Sequence, residues 1–109
     1  MADNVATLTD ANWQAEVMSS REPVLVDFWA EWCQPCRQLT PTVEALAKEF
    51  QGRLKVGKMN VEDNPDVPSR YNITTLPTLL LIKNGMVAEQ RIGLVRKDVL
   101  AKLIEPNLG

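Results

Sequence analysis

Two cysteines, Cys33 and Cys36, and no histidine among 109 residues bound the chemistry open to this chain. Without imidazole it lacks the commonest general base and the commonest transition-metal ligand, so Ser/His and Cys/His dyads are excluded. Two thiolates cannot build a four-thiolate zinc site, and no metal site is expected. Thiol–disulfide exchange needs neither group. The pair occurs as Cys33-Gln34-Pro35-Cys36, after the apolar run Val24-Leu25-Val26-Asp27-Phe28-Trp29 and before Leu39, Val43, Leu46, Ala47 and Phe50 at helical spacing. Cys36 falls on that apolar stripe. Cys33 lies one turn back at the helix start, where unpaired N–H groups and the positive end of the helix dipole favour a thiolate. One thiol is thus placed to attack and the other to stay sheltered. Pro35 suits the first turn, where its missing N–H has no partner to lose.

A purely stabilising disulfide is the plainer alternative. Closing four residues contributes about 2 kcal/mol, against roughly 4.7 for a 100-residue loop, so a bridge placed for stability would gain more elsewhere. Asp27 is the informative acid, because it interrupts a strand whose neighbours are apolar. If buried there it is costly and its pKa is raised; the alternative is an edge-facing, solvated aspartate.

The elements that must position these groups follow from pattern. Val5 to Leu8 reads as a strand, with Thr9 and Asp10 as caps for a helix carrying Trp13, Val17 and Met18. Val24 to Trp29 has the continuous apolar character of a central strand covered on both faces. A long helix follows Cys36, with Pro41 inside it expected to bend its axis and Gly52 read as its C-terminal cap. Leu54 to Val61 is the next strand, and Asn64-Pro65-Asp66 opens a connection with a short helix or turn near Tyr71. Leu79 to Ile82 and Met86 to Ile92 flank Asn84-Gly85, a tight-hairpin dipeptide. Val99, Leu100, Leu103 and Ile104 form the stripe of a last helix. Alternating helices and strands with short connections indicate an α/β fold, read as one domain over residues 1–109.

Fourteen acidic against twelve basic residues give a net charge of -2, which lacks the basic footprint of a nucleic-acid binder. Met1-Ala2-Asp3-Asn4-Val5 does not read as a secretory signal, and no apolar stretch reaches the roughly 20 residues needed to span a bilayer. A cytoplasmic, monomeric protein without membrane association is expected. In that compartment a cysteine pair points to redox work.

The segment Val24 to Cys36 closely resembles the active-site segment of the thioredoxin family, and Leu76-Pro77-Thr78, Lys83-Asn84-Gly85 and Gly93 match further motifs over essentially the whole chain. The resemblance implies the thioredoxin fold, a central mixed five-stranded sheet flanked by about four helices. It implies a general protein-disulfide reductase in cell redox homeostasis. Cys33 would be the nucleophile on a client disulfide and Cys36 would resolve the mixed disulfide. Asp27 would accept the proton of Cys36, with Lys58 near that carboxylate; an ordinary surface lysine is the other reading of Lys58. The Leu76–Pro77 bond is expected to be cis, leaving the Leu76 backbone free to pair with a peptide. Trp32, Leu76, Gly93 and Leu94 would border the docking surface. Thioredoxin reductase drawing on NADPH would regenerate the dithiol, so no bound cofactor is expected.

Gln34 stands where the commonest motif has glycine, and Arg37 where lysine is frequent. Residues between the cysteines tune the potential, 30 mV corresponding to about 1.4 kcal/mol, so Gln34 bears on redox poise rather than on the chemistry. Leu94 replaces a usually small residue, and Pro68 is atypical. Rival readings are a disulfide oxidase or isomerase of the same fold, and a peptide-binding module with incidental thiols.

Overall fold

The computed structural model describes residues 4–109; residues 1–3, part of the start expected not to be a secretory signal, lie outside the described residues. Its sheet contains β1 (Val5–Thr7), β2 (Val24–Trp29), β3 (Lys55–Asn60), β4 (Thr78–Lys83) and β5 (Met86–Ile92), in the spatial order β1-β3-β2-β4-β5. β1 and β2 both run parallel to β3, whereas β4 is antiparallel to β2 and β5 to β4. This is the expected mixed five-stranded sheet. The helical elements are a π-helical segment (Gln14–Met18), α1 (Gln34–Glu49), α2 (Asp66–Arg70) and α3 (Lys97–Ile104), followed by a 3-10 turn at Glu105–Asn107.

The side-chain alternation of β2 divides the core. Val24, Val26 and Phe28 face Trp13, Val17, Leu80 and Ile82, whereas Leu25 faces Leu39, Val43 and Leu46 of α1 and Leu100 of α3. A strand buried on both faces must be apolar nearly throughout, and β2 is, apart from Asp27. Trp13 packs as the helix-face residue expected, its ring 6.4 Å from Phe28 and 5.6 Å from Tyr71. Gly57 of β3 lies where backbone and core approach closely, since a Cβ there would sit 2.6 Å from the Leu8 side chain. At the hairpin, Asn84 and Gly85 both take positive φ, 53° and 78°, the pairing that a two-residue turn with the twist of its strands requires.

Several boundaries differ from the pattern. β1 stops at Thr7, and β3 excludes Leu54 and Val61, which bury or half-bury their side chains in the flanking turns instead. Phe50 caps α1; Gly52, at φ 89°, belongs to the turn beyond it. The helix continues through Pro41, whose side of α1 is exposed. Val99 is 42% exposed and leaves the stripe of α3 to Leu100 and Ile104, with Leu103 half-buried. Pro68 is buried within α2, and nothing in the structure gives it a functional role. Among the described residues no helix is long and apolar enough to cross a membrane.

The largest correction concerns Asp10. Thr9 does not cap the first helical segment, whose N-cap is Trp13 without a side-chain bond; it closes the preceding turn by exchanging hydrogen bonds with Asn12, each side chain accepting from the other's backbone N–H, at 2.7 and 3.0 Å. That segment is π-helical, the Ser19 N–H donating to the Gln14 carbonyl at 3.0 Å. Asp10 points elsewhere. Its carboxylate accepts from the N–H groups of Asp66 and Val67, at 3.0 and 2.9 Å, and so caps α2 from 56 and 57 residues away. Local pattern suggests a cap for the next helix; the fold uses the acid for a later one. Asp10→Ala is expected to cost about 1–2 kcal/mol, the usual worth of a helix cap, and Asp10→Asn less. Urea unfolding checks this, and equal stability of all three proteins would refute the capping role.

Candidate active site

The chain passes from β2 through Ala30, Glu31 and Trp32 directly into α1, and Cys33 occupies the N-cap. Its φ and ψ of -90° and 104° are extended, and its sulfur accepts a hydrogen bond from the Cys36 N–H at 3.2 Å. Cys33 thus does for α1 what Ser or Asp does at other helix starts. A negative charge developing on its sulfur sits at the positive end of a 16-residue helix. Pro35 lies in the first turn as expected, and Gln34, the first helical residue, is exposed.

Cys33 and Cys36 are joined by a disulfide, their Cα atoms 5.3 Å apart. In this bonded state the expected contrast between an open and a sheltered thiol is absent from their burial, 4% and 2% exposed. Both pack with Ala30 beneath a cover that includes Trp29, Val61 and Leu76. The asymmetry lies in backbone position: Cys33 is outside the helix, and Cys36 is inside it on the buried stripe.

Asp27 is fully buried. It shares a face of β2 with Leu25, which packs under α1, and with Trp29, which packs on the cysteine pair. Its cross-strand neighbours are Lys58 on β3 and Leu79 on β4. Among the described residues neither carboxylate oxygen has a hydrogen-bond partner. Burial therefore drives its pKa from 3.8 to about 7, and the positive charge of Lys58 only partly opposes the rise. The edge-facing reading of Asp27 does not hold.

Lys58 is half-buried, so the surface-lysine reading gives way as well. Its Nζ stands 4.8 Å from the centre of the Trp29 ring and donates to the Thr40 hydroxyl at 3.4 Å.

The remaining expected residues form a rim. The Leu76–Pro77 bond is cis, and Leu76 packs against the cysteine cluster. The Gly93 N–H donates to the Pro77 carbonyl at 2.8 Å, with φ of Gly93 at 88°, which brings the end of β5 beside that turn. Leu94 and Trp32 are exposed, at 52% and 68%. The Trp32 indole N–H donates to Glu62 at 3.0 Å, and Arg37 donates to the Glu31 carbonyl; neither contact is signalled by spacing in the sequence. Among the described residues no group of three or more metal-ligating side chains converges.

The folded protein holds the Asp27 proton up to about pH 7, whereas the unfolded chain releases it near 3.8. Stability tied to this group is full below the lower value and falls as pH rises to the upper one, by about 4 kcal/mol. Asp27→Asn, neutral throughout, is expected to gain about that much on the wild type between pH 4 and pH 8. A difference between the two unfolding free energies that stays constant with pH would show that Asp27 titrates as an ordinary aspartate.

Comparison with known proteins agrees with this geometry. The profile of the family described as Thioredoxin matches residues 4–106. The chain is 47% identical over 108 residues to the thioredoxin of Rickettsia bellii, covering 99% of this chain and all of that one. It is 39% identical over 108 residues to the thioredoxin of Pseudomonas aeruginosa, with the same coverage. Against thioredoxin 2 of Chlorobaculum tepidum it is 43% identical over 101 residues, 93% of each chain. With a bonded cysteine pair at the helix start and near-full-length relatives of this name, the chain belongs to the thioredoxin family.

Proposed function

We propose that this protein is a general protein-disulfide reductase, a thiol–disulfide oxidoreductase whose reduced Cys33 and Cys36 pass two electrons to disulfides of client proteins. The observation that carries the reading is the position of the pair, with Cys33 capping α1 and the buried Asp27 on the α1-covered face of the adjoining strand. The Cys33 thiolate, favoured by the helix terminus, attacks one sulfur of the client disulfide and the other leaves as a thiolate. Cys36 then gives its proton to the Asp27 carboxylate and attacks the Cys33 sulfur. This closes the Cys33–Cys36 bond and releases the second client thiolate.

Asp27 suits that task because its pKa of about 7 lets it hold or take a proton near neutrality, in a chain with no histidine to do so. Lys58 tempers that pKa. The Leu76 backbone, without a backbone hydrogen-bond partner among the described residues, is available to pair with an extended client segment. Trp32, Gly93 and Leu94 border the same rim, and Pro77 holds its turn.

Regeneration falls to an NADPH-dependent thioredoxin reductase, with no cofactor bound to this chain. A cytoplasmic setting, a monomeric state and a role in redox homeostasis complete the reading. It does not extend to nucleic acid or membrane. Gln34, exposed between the thiols, sets the poise that separates a reductase from an oxidase or isomerase.

Turnover of insulin disulfides with NADPH and thioredoxin reductase is the direct test. Wild type is expected to be active, Cys33→Ser to be inactive, and Cys36→Ser to accumulate a mixed disulfide seen by mass spectrometry. Asp27→Asn is expected to slow resolution by about 10²–10⁴-fold, the usual worth of general-base assistance. Activity surviving in the Cys33→Ser/Cys36→Ser double variant would identify a binding module instead.

A further inference from the structure

Lys58 is the charge nearest in register to the buried acid, and its side chain is held at the ammonium end by a residue outside the thioredoxin motifs. The Thr40 hydroxyl accepts from the Lys58 Nζ at 3.4 Å and donates to the Cys36 carbonyl at 3.2 Å. A threonine bonding back to the carbonyl four residues earlier is ordinary helix behaviour. The second bond is not local, for it reaches from α1 to β3 across 18 residues. One hydroxyl therefore joins the peptide carbonyl of the resolving cysteine to the cation beside Asp27.

The surroundings give the ammonium other places to go. Lys58 and Trp29 line a groove of about 670 Å³ whose wall also carries Glu31, Glu44 and Asp63. Glu44 lies one turn beyond Thr40 on α1. Around Asp27 itself, β3 supplies Lys58, β4 supplies the apolar Leu79, and α1 covers the face with Cys36 and its buried stripe. Among the described residues Lys58 is thus the cation directly across from the carboxylate, and three acids line the same groove.

We propose that Thr40 is a positioning residue, which keeps the Lys58 ammonium on the Asp27 side of the groove and couples it to the turn of α1 that bears Cys36. The proposal rests on the reading of Asp27 as the proton acceptor of the exchange reaction. Without the hydroxyl, Lys58 swings toward Glu44, Glu31 and Asp63, and Asp27 loses part of the cationic influence that tempers its burial. The carboxyl then holds its proton to higher pH, and resolution by Cys36 requires correspondingly more alkaline conditions.

The test is the carbon-13 NMR titration of the Asp27 carboxyl in the oxidised protein, which needs neither client nor reductase. Thr40→Val is expected to raise the midpoint by about half a pH unit, roughly threefold in proton affinity, and Thr40→Ser to return it to the wild-type value. In a Lys58→Met background, Thr40→Val is expected to change nothing. Should the valine variant fold poorly, Thr40→Ala, a good helix former, takes its place. An unchanged midpoint in the folded variant overturns the proposal. So does a shift of equal size in the Lys58→Met background, which would mark a packing effect. Insulin reduction by the wild type tests the underlying reading separately; its absence, with the NMR coupling present, would sink that reading alone.

Discussion

A carboxylate without partners in the middle of a central strand is the constraint on which the rest of this structure depends. Asp27 is covered on every side, by α1, by β3 and by β4, and the protein gives it no hydrogen bond among the described residues. A group so placed stays protonated to about neutrality because its charged form is poorly solvated. The same packing that makes β2 a good core strand thus creates the abnormal acid. Core and site cannot be separated here. Filling the position with an apolar residue would make a more ordinary sheet and, on the function proposed above, remove the proton acceptor of Cys36.

Around that acid the fold arranges backbone groups rather than side-chain ligands. The helix start is stabilised by a sulfur in place of an oxygen, the rim is built from a cis-proline turn and a left-handed glycine, and the Lys58 cation donates to a threonine hydroxyl. Imidazole and metal are not needed for any of these arrangements, so the proposed proton transfer fits a chain without histidine. The cysteines owe their difference to where the helix begins. In the bonded state their burial is nearly the same, so the distinction resides in which sulfur lies outside the helix and which carbonyl is already inside it.

Much of this was legible in the residues. The thiol pair, the apolar strand before it and the stripe behind it are local patterns, and local patterns survive folding because burial enforces them at 2.0 and 3.6 residues per repeat. Asp27 stood out for the same reason, as a break in a run that has to be buried. What escaped was non-local. Asp10 reads as a cap for the helix that follows it, since nothing in its neighbours points to α2. Glu62 behind Trp32 and Thr40 beneath Lys58 share that invisibility, because their partners are set by sheet register and helix docking. The exposed Val99 failed differently, for a stripe drawn one residue too wide looks the same in sequence as a correct one.

The reach of Asp10 has a consequence for how the molecule comes apart. α2 has only five residues, too few to persist as an isolated helix. Its first amides are held by an acid that belongs to the N-terminal segment, and that segment is tied in turn by the Asp10 N–H donating to Asn64. Neither piece has its full set of bonds without the other. Opening of the β1 region and of α2 is therefore expected to be coupled, although about half of the chain lies between them, and hydrogen exchange in one should report on both.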